Sequence, residues 1–117
     1  MPHPPPAGWR LPWRKLAFLH KKSSAPGRIV VTLRGEINAE TSKRTQRTLL
    51  DALRMSPLIL EVDLTHVTHV STDGTLIFFA AVVEARSTGT RLVVTHPQAH
   101  VRWVLQRVGL GRLLTLS

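Results

Sequence analysis

The chain has 117 residues, 43% of them apolar, with 16 Lys+Arg against 7 Asp+Glu and no cysteine. That length fits one domain, and the apolar fraction predicts a packed core rather than disorder. Without cysteine there is no disulfide, no thiolate metal ligand, no iron–sulfur cluster and no Cys nucleophile.

The formal net charge of +9 invites a polyanion as partner, but its placement argues otherwise. Residues 1–28 hold Arg10, Arg14, Lys15, Lys21, Lys22 and Arg28 and no acidic residue, so the rest of the chain carries only +3. A basic tail of this kind is ordinarily a solvated segment. Nucleic acid is therefore not expected as the main partner. Prolines interrupt the N-terminus where a signal peptide needs an apolar core. The longest apolar run, Leu76 to Val83, is eight residues, against about 20 for a membrane-spanning helix. The expectation is a cytoplasmic protein with no membrane span.

In chain order, residues 1–14 form a Pro-rich basic tail that includes Trp9 and Trp13, expected to be extended or disordered, and residues 15–117 form the domain. Lys15 to Lys22 predicts an edge strand, with Ser23-Ser24-Ala25-Pro26-Gly27 as the following turn. Arg28 to Arg34 is β-branched and predicts a strand stopped by Gly35. Asn38 is a natural N-cap for a helix to about Met55, burying Thr41, Thr45, Thr48/Leu49 and Ala52/Leu53. Leu58 to Leu64 alternates as a strand, and Thr65 to Thr72 is expected to be a loop. A second helix should be capped near Asp73 and reach about Arg86. Arg91 to Thr95 predicts another strand. Pro97 then opens a third helix with Val101, Val104, Leu105 and Val108 on its core face. Gly109 and Gly111 close that helix, and Leu113 to Leu116 offers a short last strand. The alternation predicts an α/β single domain with a mixed four- to five-stranded sheet and helices packed mainly on one side.

The second helix is unusual. Thr75 to Val83 has no charge over nine positions, so it is apolar all round, yet only one face can pack on the sheet. The other face is expected to meet a partner.

The stretch Leu60-Glu-Val-Asp-Leu-Thr-His-Val-Thr-His-Val-Ser-Thr-Asp-Gly-Thr-Leu-Ile resembles the signature of STAS domains, the anti-sigma factor antagonists of bacteria. Gly35-Glu-Ile-Asn resembles the family's Gly-Glu-Leu-Asp. Arg91-Leu-Val-Val-Thr-His-Pro and Val104-Leu-Gln-Arg-Val-Gly-Leu-Gly-Arg-Leu-Leu resemble its later strand, closing helix and last strand. The resemblance covers about residues 28–117.

It implies a STAS-like fold and a non-enzymatic role, binding an anti-sigma factor that is also a kinase-like ATPase. In the family, phosphorylation of a hydroxyl before the glycine ends the complex, because added charge is repelled and desolvated at the interface. Here the family's Asp-Ser-Ser/Thr-Gly becomes Ser71-Thr72-Asp73-Gly74, and its Asp after Gly-Glu-Leu becomes Asn38. Three readings stay open. Thr72 or Ser71 is the phosphoacceptor; Asp73 is a built-in phosphate mimic; or Asp73 and Asn38 are plain helix caps. The implied partner surface comprises Gly35, Asn38, Val70 to Gly74, and Phe78, Phe79 and Val82 on the second helix. Alternatives are a STAS accessory subunit of a transporter ATPase, or binding of nucleic acid or an anionic surface through the basic tail.

No cofactor, small-molecule substrate, metal or catalytic residue is expected. Asp63, His66 and His69, and separately His96 and His100, have ligand chemistry but no spacing that gathers three ligands. Ser71, His69 and Asp73 have the residue types of a hydrolytic triad but crowd into five positions, whereas triad members converge from separate elements. Gly109-Leu-Gly111 lacks the context of a phosphate loop.

Overall fold

A computed structural model describes residues 20–25 and 27–117. The expected tail, both its tryptophans and the predicted strand start at 15–19 lie outside the described residues. The elements run β1 (His20–Ala25), β2 (Arg28–Ile37), α1 (Ala39–Arg54), β3 (Ile59–Val70), α2 (Thr72–Thr88), β4 (Arg91–Thr95) and α3 (Ala99–Arg107), then a 3-10 turn (Leu110–Arg112) and β5 (Thr115–Leu116). The five strands lie in sequence order across one sheet. β1 is antiparallel to β2, and β2 to β5 are mutually parallel. Parallel neighbours need crossovers, and crossovers of one hand along a sheet that grows in sequence order put the helices on one face.

The alternation of burial shows that face. Ile29, Val31 and Leu33 of β2, Leu60, Val62 and Leu64 of β3, and Leu92 and Val94 of β4 are buried. Their alternates Val30, Thr32, Ile59, Asp63 and Val93 are only half-buried. Three strands are tied together on this second face. Arg28 pairs with Glu61, and Thr95 Oγ1 donates to Glu61 Oε2 at 2.9 Å.

Helix α1 matches its pattern except at Thr41, which is half-buried with its hydroxyl tied into the N-terminal cap. Thr45, Leu49, Ala52 and Leu53 are buried, and its opposite face is polar. Asn38 caps it, with Oδ1 accepting from the amides of Glu40 at 2.9 Å and Thr41 at 3.2 Å. Helix α2 ends at Gly89, whose φ of 71° closes it in the left-handed region.

Several boundaries differ from expectation. Ser23, Ser24 and Ala25 belong to β1 rather than to a turn, and β2 starts at Arg28. Strand β2 runs past Gly35 to Ile37. Leu58 precedes β3 and is 69% exposed rather than facing the core. Segment 65–70 is strand, not loop. Beyond Leu64 the buried positions come every third residue, at Val67 and Val70. Two register shifts cause this, between Thr32 and Arg34 and between Gly35 and Glu36. At each, β3 uses one residue more than β2, which is a β-bulge. Period-two alternation fails there, although Thr65, Val67, Thr68 and Val70 are all β-branched. Pro97 lies just outside α3, which Gln98 precedes as N-cap. On α3, Val101 and Leu105 are buried and Val104 and Val108 half-buried, while β5 shortens to two residues.

Phe78 of α2 is fully buried, whereas Leu76 on the same helix is 62% exposed. Phe78→Ala should therefore cost about 3–5 kcal/mol of folding stability. Leu76→Ala should cost less than about 0.5 kcal/mol. Urea unfolding midpoints of the two variants measure the difference.

Candidate functional site

The site forms where β2 and β3 end together. Ile37 pairs with Val70, and each strand then turns at once into a helix, through Asn38 and Ser71 respectively. The Ser71 amide donates to the Ile37 carbonyl at 2.9 Å. Ser71 Oγ accepts from the Gly74 amide at 2.9 Å, so Ser71 is the N-cap. Asp73, expected near the cap, lies inside the first turn, where a carboxylate complements the helix dipole. Gly74 is buried, and a Cβ there would stand 2.2 Å from the Ile37 carbonyl oxygen. Only glycine lets the head of α2 approach β2 this closely.

The neighbouring segment is equally tied. Thr41 Oγ1 accepts from the Asn38 amide at 3.0 Å and donates to the Glu36 carbonyl at 2.8 Å. Asn38 Nδ2 donates to Glu36 Oε2 at 3.2 Å. Gly35, with φ of 80°, has open space around it. Residues Gly35 to Asn38 and Val70 to Gly74 thus form one ledge bearing the N-termini of two helices. Beside it, His69 Nδ1 lies 4.0 Å from Glu36 Oε1, and the His69 and His100 rings are 5.3 Å apart. The His100 ring also meets the Thr68 carbonyl.

The three expected switch residues separate by environment. Ser71 is half-buried, with its hydroxyl committed to the cap. Thr72 and Asp73 are exposed. Among the described residues, the Thr72 hydroxyl has no hydrogen-bond partner, while its carbonyl accepts from Thr75 Oγ1 at 2.6 Å.

The expected partner positions on α2 need correction. Phe78 and Val82 are buried, at 0% and 4% exposure, so they face the core. Phe79 is half-buried and packs partly on that core. The face turned outward is Asp73, Leu76, Phe79, Ala80 and Val83, with Leu76 and Val83 at 62% and 69% exposure. These positions recur every three or four residues, as one helical stripe must. Leu76 and Val83 were missed because a helix apolar on all sides has no polar face to set its phase. The one signal available was the exposure expected of Asp73, three residues before Leu76.

Among the described residues, no three His, Asp or Glu side chains gather as a metal would require. Asp63 Oδ1 is taken by the amide and hydroxyl of Thr65, at 2.9 and 2.5 Å. Among the described residues, no helix is long and apolar enough to cross a membrane.

A family model described as "Mlab, STAS domain" matches residues 20–115. The chain belongs to the STAS-domain family. No curated protein sequence matches it. Among solved structures, a Thermotoga maritima protein assigned as an anti-sigma factor antagonist is similar with a TM-score of 0.75, 16% identity and 84% of each chain covered. An anti-sigma factor antagonist from Mycobacterium paratuberculosis gives 0.71 and 23% identity, covering 84% of this chain and 82% of its own. The anti-sigma factor antagonist SpoIIAA in its unphosphorylated form gives 0.70 and 16%, covering 85% and 87%. These likenesses show the STAS fold.

Gly74→Ala forces a methyl group into the Ile37 carbonyl and should cost about 3 kcal/mol or more. Gly35→Ala meets no atom but keeps an unfavourable φ, so it should cost only about 1–2 kcal/mol. Urea midpoints of the two variants should fall in that order.

Proposed function

We propose that this STAS domain is an anti-sigma factor antagonist, binding an anti-sigma factor with a kinase-like ATPase domain through the ledge and the outward stripe of α2. The observation that carries this reading is continuity. The exposed Thr72–Asp73 step runs directly into the apolar stripe Leu76, Phe79, Ala80 and Val83. Apolar burial on the stripe supplies the attraction, and charge at the helix head sets its strength. Thr72 is the hydroxyl available for phosphorylation, since that of Ser71 holds the cap. Asp73 gives the partner a fixed negative charge, and a phosphate on Thr72 would add about −1.5 to −2 more. The similarity to anti-sigma factor antagonists supports this reading.

A second reading, an accessory subunit of a transporter ATPase, is favoured by Asp73 itself. A permanent carboxylate beside Gly74 suits a constitutive contact better than a phosphate-gated one. Both readings use the same surface, so the identity of the partner separates them.

Affinity capture from the native host should recover a kinase-like anti-sigma factor with the wild type. Leu76→Asp and Val83→Asp should abolish capture, and Thr72→Asp should weaken it at least about tenfold. Phosphate on Thr72 after incubation with the captured partner and ATP supports the switch. Capture of a transporter ATPase would replace the first reading by the second. Capture indifferent to Leu76→Asp and Val83→Asp would overturn the assignment of the surface.

A further inference from the structure

In the sequence His66 stands near His69 and His96 near His100, but the fold brings together one histidine of each pair. His69 lies on β3 and His100 in the first turn of α3. Their ring centroids are 5.3 Å apart, with the ring planes inclined at 56°. Each ring is held through one nitrogen. His69 Nδ1 lies 4.0 Å from Glu36 Oε1 on β2, and His100 Nε2 meets the Thr68 carbonyl oxygen. Both residues are exposed, and the His69 side chain keeps 70% of its surface open. The contact therefore buries too little apolar area to be explained as packing.

The nitrogens left over are His69 Nε2 and His100 Nδ1. The two nitrogens of an imidazole point to different sides of the ring, so with Nδ1 toward Glu36, His69 Nε2 faces away from β2. Strand β4 lies across β3 from β2, and α3 follows β4, so His100 arrives from the side opposite Glu36. Two imidazoles on one tetrahedral zinc ion, at Zn–N distances of about 2.0–2.1 Å, hold their ring centroids about 5 Å apart. The observed separation meets that requirement. Histidines that bind metal commonly give their other ring nitrogen to a carboxylate or a backbone carbonyl, which fixes tautomer and orientation. Here one ring has each kind of partner.

We infer that His69 and His100 together bind one Zn²⁺ ion, through Nε2 of the first and Nδ1 of the second. Two imidazoles make an open site, short of the three or four side chains that close a structural one, and water takes the remaining positions. Neutral imidazole suits zinc, and the carboxylate of Glu36 nearby favours a cation. The inference does not rest on the proposed partner, and its test needs none.

That test is a calorimetric titration of the full chain with Zn²⁺ at neutral pH in a non-coordinating buffer. A micromolar site should appear, and His69→Ala and His100→Ala should each lower its affinity at least about tenfold. The double variant His66→Ala/His96→Ala removes more imidazole and should leave the affinity unchanged. All four residues are exposed, so every variant should keep the wild-type urea midpoint. In the wild type, NMR of the imidazole nitrogens should show zinc-dependent shifts at His69 and His100 and not at the other four of the six histidines. No saturable binding at millimolar Zn²⁺ would overturn the inference. So would an affinity unchanged by His69→Ala and His100→Ala, an equal loss in the His66/His96 variant, or shifts confined to His3 and His20.

Discussion

The head of α2 presses against the end of β2 with no side chain between them, and the site depends on that contact. The Ile37 carbonyl accepts the Ser71 amide at 2.9 Å, and the Cα of Gly74 sits where any larger residue would collide with the same carbonyl. Ile37 is fully buried and paired with Val70, so neither strand end can retreat. Two turns that would otherwise move separately become one rigid ledge. Rigidity matters for a binding surface, because a preorganised contact loses less entropy on association.

The rest of the domain supports this arrangement from below. The one-sided sheet gives α1 and α2 a common floor and leaves part of α2 outward. The second face of the sheet is held by polar links instead, with Glu61 of β3 joined to Arg28 of β2 and Thr95 of β4. The division is chemical. Apolar burial sets the helices on one face, and a half-buried carboxylate stitches the strands on the other.

The sequence reveals elements whose two faces differ in polarity. Helix α1, with Thr45, Leu49 and Leu53 inward and Lys43, Arg47 and Arg54 outward, is legible as to cap, length and core face. Strand β4 is legible for the same reason. The motif around Ser71–Gly74 is also legible, and its resemblance names the family that the match over residues 20–115 shows. What stayed hidden was phase and register. Helix α2 has no polar residue between Thr75 and Glu84, so sequence cannot tell Phe78 from Leu76, yet one is core and the other surface. Residues 65–70 look like a loop because two bulges break the alternation, and a bulge is visible only against its partner strand.

Those bulges also decide how the chain can change over evolutionary time. Loops usually absorb insertions and deletions, and residues 65–70 read as the natural place for one. Each residue of a strand, however, advances the chain by about 3.3 Å. Losing one between Leu64 and Val70 would draw Ser71 and Gly74 off the Ile37 carbonyl by that distance and invert the side chains that follow. The stretch with the least regular pattern is therefore the one whose length is most tightly fixed. Length variation should instead collect at sites such as the Met55–Leu58 connection, where no functional group is set by the count.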